Sequence, residues 1–299
     1  MKKIILLICL LSLTSLFAQT AGNSGLSFLK LGFGARNIAL GDAGTELSSD
    51  VTSLFYNPSA LAINPASEIM LMHNEWIQDV RSEVLGARTI IFGLPVAVGF
   101  NVTSVNDIEV RGINPGDPIT KFNAQYFFGS LSAGHLITDN VYFGASIKYL
   151  YQGIYVDEST GWGFDFGATY LTSIKGLNIS AALRNLGTMK ALRDEKTKLP
   201  TEFRIGPSYS LIFQDKFQVS GAVEFLKYTP TSDTHFNMGA EILYDKLIAL
   251  RVGYQTGYIS KNITAGFGLM WGNLSFDYAL APLQLGLGDG NILSLQFKF

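Results

Sequence analysis

The sequence predicts an all-β chain: a transmembrane antiparallel β-barrel of about fourteen strands behind a short helical N-terminal segment. Three observations predict it. From Ser67 onward, segments with a period of two follow one another between turn signals. The connections between them take turns in length, long then short. A leader at the start sends the chain out of the cytoplasm.

Lys2 and Lys3 precede an apolar run from Ile4 to Leu13, and Ser15, Ala18 and Gln19 follow. That is a secretory signal peptide over residues 1–18, cleaved after Ala18. The run is too short to span a bilayer as a helix, and no later stretch is long enough without a charge or a turn. Cys9 is the only cysteine and leaves with the leader, so the mature chain is expected to have neither disulfide nor thiol chemistry. Loss of Lys2 and Lys3 takes the formal charge from −2 to about −4, which gives nucleic acid no electrostatic footprint. Charged residues are 15% of the chain and aromatic residues 12%, a balance that suits an outer surface facing lipid.

Residues 19–66 are glycine-rich and apolar but do not alternate, so they make poor strands. Ser48 or Ser49 can cap a short helix over Val51 to Tyr56, with Asp50 in its first turn. Pro58 pushes Asn57 out of the helical region, which ends that helix, and Pro58 can itself open a second short turn.

Residues 67–299 hold the strands. Val141, Phe143, Ala145, Ile147 and Tyr149 share one face, with Tyr142, Gly144, Ser146 and Lys148 on the other. Trp162, Phe164, Phe166, Ala168 and Tyr170 alternate with Gly163, Asp165, Gly167 and Thr169. Alternation alone does not say which face points inward: a soluble sandwich buries its apolar face, and an outer-membrane barrel turns it to lipid. The connections favour the barrel. Short turns are expected near Phe92–Pro95, Thr138–Asn140, Ser173–Gly176, Gln214–Lys216, Tyr244–Lys246 and Gly272–Asn273. Longer ones are expected near Asn106–Phe122, Gly153–Gly161, Gly187–Thr201, Tyr228–Thr234, Thr256–Asn262 and Pro282–Asn291, while Gln78–Ser82 is a short exception. Such barrels keep short turns and both termini in the periplasm and send long loops outside. The last strand puts Leu293, Leu295, Phe297 and Phe299 on one face, and its aromatic end is similar to the signal read by the barrel-assembly machinery.

The polar faces carry Lys148, Asp165, Arg184, Arg204, Glu224, Glu241, Arg251 and Asp277. Against lipid each would cost a few kcal/mol, so these side chains are expected in the lumen. Their mixed signs favour pairing that holds the lumen shut over selectivity for one ion. The other lumen-facing positions read as mostly small. His73, His135 and His235 are scattered, which gives no zinc spacing. Ser132 and His135 fall on opposite faces of a strand, and there is no exposed nucleophile motif. No cofactor, metal or catalytic residue is predicted, and the chain reads as a non-enzyme. Trp76, Trp162 and Trp271 are candidates for aromatic girdles. Apolar loop tips at Ile119 to Phe122, Ile154 to Val156, Tyr258 to Ile259 and Leu283 to Leu287 read as contact sites.

Three runs in the N-terminal segment carry a family resemblance: Phe28-Leu29-Lys30-Leu31-Gly32-Phe33-Gly34-Ala35-Arg36, Leu40-Gly41-Asp42-Ala43-Gly44 and Tyr56-Asn57-Pro58-Ser59-Ala60-Leu61. Leu250-Arg251-Val252-Gly253-Tyr254-Gln255, Gly266-Phe267-Gly268-Leu269 and Asp277-Tyr278-Ala279 add to it from the C-terminal half. Together they resemble the PorV/PorQ family, which belongs with the FadL-like outer-membrane barrels. The resemblance implies that residues 19–66 are a plug in the lumen. It also implies a cell outer-membrane protein, bathed in outer-membrane lipid, that serves type IX protein secretion by docking the translocon or its secreted cargo. The wider FadL-like group implies an alternative, a transporter for hydrophobic small molecules with the N-terminal segment as its gate.

Overall fold

The computed structural model describes residues 25–113 and 116–299; the expected signal peptide lies outside them. The strands are β1 (Glu68–Glu75), β2 (Val80–Ile91), β3 (Leu94–Val110), β4 (Thr120–Thr138), β5 (Val141–Ile154), β6 (Asp157–Leu171) and β7 (Leu177–Met189). A two-stranded hairpin, β8 (Ala191–Leu192) and β9 (Glu195–Lys196), stands in the next connection. There follow β10 (Glu202–Phe213), β11 (Phe217–Tyr228), β12 (Thr234–Tyr244), β13 (Ile248–Thr256), β14 (Ile263–Trp271), β15 (Leu274–Leu283) and β16 (Gly288–Lys298). Apart from β8 and β9 they form one closed antiparallel barrel of fourteen strands, in which β1 pairs with both β2 and β16.

The period of two sets inside and outside. In β6, Trp162, Phe164 and Phe166 are exposed outward while Gly163, Asp165 and Gly167 are buried inward. A one-residue slip would exchange the two sets and put Asp165 in lipid, so the pattern pins the register. Closure leaves no strand edge for the bilayer to solvate, which is what makes a sheet tolerable there.

Short turns gather at one rim: Phe92-Gly93, Asp139-Asn140, Thr172–Gly176, Gln214–Lys216, Asp245–Leu247 and Gly272-Asn273. The opposite rim carries the longer loops, with two corrections. The expected Pro282–Asn291 loop narrows to four residues, 284–287, because Leu280 to Leu283 pair with Gly288 to Asn291. The expected Gly153–Gly161 loop is a two-residue turn, Tyr155-Val156, because Gln152 to Ile154 continue to pair with Asp157 to Ser159. The glycines at 153 and 161 sit within the ladder rather than ending it. Trp76 also departs from expectation. It is not part of an outward girdle but folds inward against Gly290 and packs on the interior cluster. Trp162 and Trp271 are exposed on the outer surface.

The N-terminal segment fills the lumen from end to end. Its first described residue, Gly25, donates its amide to Lys198 O (3.0 Å) at the long-loop rim. The chain then runs through 3₁₀ turns at Ser27–Lys30 and Pro58–Ala62 and short helices at Ala35–Ala39, Gly44–Leu47 and Ser53–Tyr56. The mature N-terminus, expected in the periplasm, lies outside the described residues. The expected cap also differs: the helix begins at Ser53, and Asp50, not Ser48 or Ser49, accepts the Thr52 amide (2.8 Å). The second turn is as expected, with Pro58 opening it and Asn57 accepting the Ser59 amide (3.1 Å).

Glycine lets plug backbone touch the wall. Gly41, at φ +68°, lies against Met238 O and Tyr254 N, and a Cβ there would come within 2.6 Å of Met238 O. A Cβ on Gly144, near the short-turn rim, would fall 2.2 Å from the Pro58 carbonyl carbon. Neither neighbour is a flexible side chain that can swing away. Gly144→Ala is therefore expected to lift the Pro58–Ala62 turn at a cost of about 1–3 kcal/mol, with the barrel intact. Limited proteolysis would show faster cleavage within residues 44–62, while the heat-dependent gel mobility of a folded barrel is kept. Unchanged cleavage would mean that the turn is not held against this wall.

Candidate functional site

All eight predicted lumen charges are buried inside the barrel, and the structure joins them into networks with the plug. Arg204 is the hub of the first. Its guanidinium meets Glu224 Oε1 (2.9 Å), Glu202 Oε1 (3.1 Å) and, on the plug, Asp42 Oδ2 (3.2 Å) and Asp42 O (3.1 Å). Arg184 reaches the same Glu202 oxygen at 2.7 Å. Asp42 in turn accepts a hydrogen bond from the Tyr56 hydroxyl, and the Tyr56 ring lies 5.3 Å from the Arg184 guanidinium and 5.7 Å from that of Arg204. Two cations thus flank the face of one plug tyrosine.

The second network clamps the plug helix Ala35–Ala39. Arg36 makes a bidentate pair with Glu241, at 3.0 and 2.8 Å, and donates to Leu47 O (2.9 Å). Glu241 Oε2 also accepts from Arg251 Nε (2.6 Å), whose Nη1 reaches Asp277 (2.6 Å). Such fork-to-fork pairs fix direction as well as charge. A third cluster, unforeseen in the sequence, pairs Arg88 with Glu68 (2.8 Å); Glu68 also accepts the Val51 amide (2.9 Å).

Lys148 and Asp165 pair at 2.6 Å across β5 and β6. Here the β6–β7 ladder bulges, so that Arg184 and Asn185 of β7 together face Asp165. Asn185, at φ +57°, donates its amide to Asp165 Oδ1 (2.8 Å) and accepts from Lys148 Nζ (2.9 Å) at its side chain. The bulge turns both Arg184 and Asn185 inward, where strict alternation would have sent Asn185 to lipid. Only the unexpected pairing of an asparagine next to an arginine on one face could have signalled it.

The other side of the lumen is apolar, which corrects the expectation of mostly small or charged residues. Plug residues Phe28, Phe33, Leu54 and Phe55 pack with Met70, Met72, Val84, Phe128 and Leu150 of the wall. Phe28 stacks on Tyr126 (5.3 Å) and Phe128 (6.2 Å), and Phe33 stacks on Phe55 (4.7 Å). Of the predicted plug residues, Phe28 and Leu29 are in or beside this aromatic cluster, Arg36 and Asp42 in the charged networks, and Gly32, Gly34, Gly41 and Gly44 at close approaches. Asn57 donates to Thr169 Oγ1 (3.1 Å) and Pro58 abuts the wall. Phe297 and Phe299 are exposed at the short-turn rim, their rings edge to face at 5.2 Å.

A cavity of about 20 Å³ between Gly32 and Asp42 of the plug and Asn74, Gln255 and Thr264 of the wall has room for about one water. Above the plug, at the long-loop rim, a recess of about 690 Å³ is lined by Lys30, Tyr228, His235, Tyr258, Lys261 and Leu285. Burial lowers the pKa of both lysines there.

Glu46 is the weak point of the plug. It is buried, and neither carboxyl oxygen has a hydrogen-bond partner of ordinary geometry. Burial first, and then the neighbouring Glu224 carboxylate, push its pKa well above the carboxylate range; Arg204 opposes them. Asp50 goes the other way: burial opposes its charge, but Arg36 and the Thr52 hydroxyl and amide hold its carboxyl below the usual range.

The chain matches no protein-family profile and no curated protein. Its fold is shared with outer-membrane barrels of FadL type. The toluene transporter TbuX of Ralstonia pickettii superimposes with a TM-score of 0.64 at 15% identity, over 90% of this chain and 98% of that one. The monoaromatic hydrocarbon channel CymD gives 0.64 at 12% identity over 90% and 98%. A Pseudomonas aeruginosa FadL homologue gives 0.51 at 12% identity over 89% and 97%.

Two tests follow from the charges. Glu241→Ala takes the shared carboxylate from two buried guanidinia, leaving Arg36 only the Leu47 carbonyl and Arg251 only Asp277, whereas Arg36→Ala leaves Glu241 paired with Arg251. The first is expected to cost about 3–5 kcal/mol and the second clearly less, read from denaturant unfolding of the folded barrel in detergent; equal losses would refute the clamp. A carboxyl whose folded pKa is raised holds its proton longer in the folded state. The contribution of Glu46 to plug seating is therefore strongest at and below the ordinary carboxylate range and weakens as pH rises toward the raised value, whereas that of Asp50 is lost as pH falls through its lowered one. Glu46→Gln is expected to flatten this fall, measured as protease protection of residues 25–62 against pH.

Proposed function

We propose that this chain is a non-catalytic outer-membrane channel for apolar small molecules, with the N-terminal plug as its gate. One observation carries the reading. The interior is not uniformly polar: plug rings of Phe28, Phe33 and Phe55 occupy an aromatic compartment walled by Tyr126, Phe128 and Leu150. A plug whose only task was to seal a polar pore would need no such compartment, since the charged networks already fix it. Displacing the plug from this side leaves a surface suited to an apolar ring, much as protein pockets for small ligands are lined by apolar and aromatic side chains. The recess above Lys30 gives such a ligand a place to arrive. The fold shared with channels for toluene and monoaromatic hydrocarbons supports the same reading.

A second reading, the accessory role in type IX secretion implied by the PorV/PorQ resemblance, draws on a different observation. Ile119, Tyr155, Val156, Ile259 and Leu285 are exposed at the long-loop rim, where solvated loops rarely keep such residues. They suit contact with a translocon or cargo.

The two separate in cells. Replacing Phe28 and Phe33 by alanine enlarges the compartment, and uptake of the apolar fluorophore N-phenyl-1-naphthylamine is expected to rise several-fold. Uptake of a polar sugar of similar size should not change. A rise in both would indicate a mere leak, and no rise in either would defeat the channel reading. Replacing Ile119, Tyr155 and Val156 by serine should leave uptake unaltered. If the docking reading holds, those loop changes reduce surface delivery of secreted cargo and recovery of a giant barrel in a mild-detergent pull-down.

A further inference from the structure

The interior neutralises its cations with carboxylates, and two lysines at the long-loop rim break that rule. Arg36, Arg88, Lys148, Arg184, Arg204 and Arg251 each meet a carboxylate oxygen at 3.2 Å or less. Lys30, in the first turn of the plug, and Lys261, in the loop between β13 and β14, pair with no carboxylate among the described residues. Each stands over aromatic rings instead. Lys30 Nζ is 4.6 Å from the centre of the Tyr228 ring, and Lys261 Nζ is 5.4 Å from that of Trp76 and 5.5 Å from that of Tyr258. A ring face attracts a cation but replaces a carboxylate poorly, and a charge held partly out of water without a counter-ion is costly.

Both lysines line the recess of about 690 Å³ above the plug, a volume that suits a small organic ligand. One wall of it is flat and aromatic. His235 and Tyr258 stack at 3.7 Å with their planes 9° apart, and Tyr228 meets His235 edge to face at 5.6 Å. Ile259, Leu285 and Leu287 add an apolar side. Asp233 is the one acidic side chain among the described lining residues, and it acts on Lys30 from beyond ion-pair distance. Burial first, and then Arg204 and Lys30, lower the pKa of Lys261, with Asp42 opposing them. The two amines are thus close enough to repel. Two ammonium groups against one carboxylate leave the recess one positive charge in excess.

We infer that this recess is a binding site for an aromatic monocarboxylate, its charge held by Lys30 and Lys261 and its ring laid against the His235–Tyr258 stack and Leu285. A plain hydrocarbon would cover the rings and leave both ammonium groups dry and unpaired. A doubly charged phosphate would exceed the single charge to be neutralised. A monocarboxylate removes the repulsion between the lysines and supplies to both what the cations deeper in the barrel already have. Their stems are flexible, so each ammonium can turn from ring to carboxylate without moving the backbone. The inference narrows the channel reading, on which the recess's role as an entry site rests, from apolar molecules at large to aromatic acids. Binding itself does not depend on passage.

The test is titration calorimetry of the full chain, folded in nonionic detergent, with empty micelles as the blank and 2-naphthoate as the probe. The neutral 2-naphthamide and the straight-chain octanoate are titrated beside it. 2-Naphthoate is expected to bind about ten-fold or more tightly than either. Lys30→Gln and Lys261→Gln break no ion pair, and heat-dependent gel mobility checks that each variant is folded. Each is expected to weaken 2-naphthoate about ten-fold and to leave 2-naphthamide unchanged. No binding of 2-naphthoate, equal affinity for the amide, or undiminished affinity in the folded double variant would overturn the anion site. Octanoate binding as tightly as 2-naphthoate would overturn the aromatic class. The channel reading fails separately: if cells carrying the protein take up no more N-phenyl-1-naphthylamine than cells lacking it, while the purified barrel binds 2-naphthoate through both lysines, the site stands and the channel does not.

Discussion

A bilayer offers no partner to a backbone amide or a charged side chain, and every feature of this molecule is arranged around that fact. Closing the sheet satisfies the amides. The period of two then sends each charged residue of the strands either to lipid or to the lumen, and lipid is too costly. The consequence is an interior crowded with arginine and carboxylate, which must itself be neutralised. Here the wall cannot finish that task alone. Arg204 has Glu202 and Glu224 from the strands and takes Asp42 of the plug as a further partner; Glu241 and Asp277 together outnumber Arg251 until Arg36 of the plug joins them. The plug is less an insert in a finished barrel than the missing part of its electrostatics.

This also explains the division of the lumen. The two larger charged networks lie along β5 to β7 and β10 to β15, and the aromatic cluster lies against β1 to β5 with the smaller Arg88–Glu68 pair of β2 and β1 beside it. Buried ion pairs hold a plug in one orientation and resist partial displacement, because breaking one partner away leaves the other charged and dry. Apolar contacts are non-directional and tolerate substitution by another apolar body. Most of the ion pairs thus hold the plug on one side, and on the other it is held mainly by packing.

Much of this was legible in the residues. Alternation in strands such as Trp162 to Tyr170 gave both the barrel and the inward charges, since a period of two leaves no freedom once one face is lipid. The plug's close approaches were legible as glycines, although not their partners: that Gly41 meets Met238 and Tyr254 depends on how strands far apart in sequence curl together. Two things were hidden. The aromatic compartment draws Tyr126, Phe128 and Leu150 from faces whose neighbours are small or polar, so no single strand announces it. The bulge at Asn185 and the interrupted ladder after Arg184 break the very periodicity by which strands are recognised, and there the sequence reads simply as the start of a loop.

The strands are also of very unequal length. β3 and β4 run for 17 and 19 residues, β13 and β14 for 9 each. A tilted strand crosses a bilayer in about 9–11 residues, so the first pair exceeds that span by roughly 20–35 Å along the strand. The rim is a parapet on one flank and a threshold on the other. Neighbours drifting in the plane of the membrane meet a different height according to the side from which they come, so crowding acts on this protein with a direction. Molecules approaching the long-loop rim find one side screened by the long strands and the other, around the recess at Tyr258 and Leu285, low.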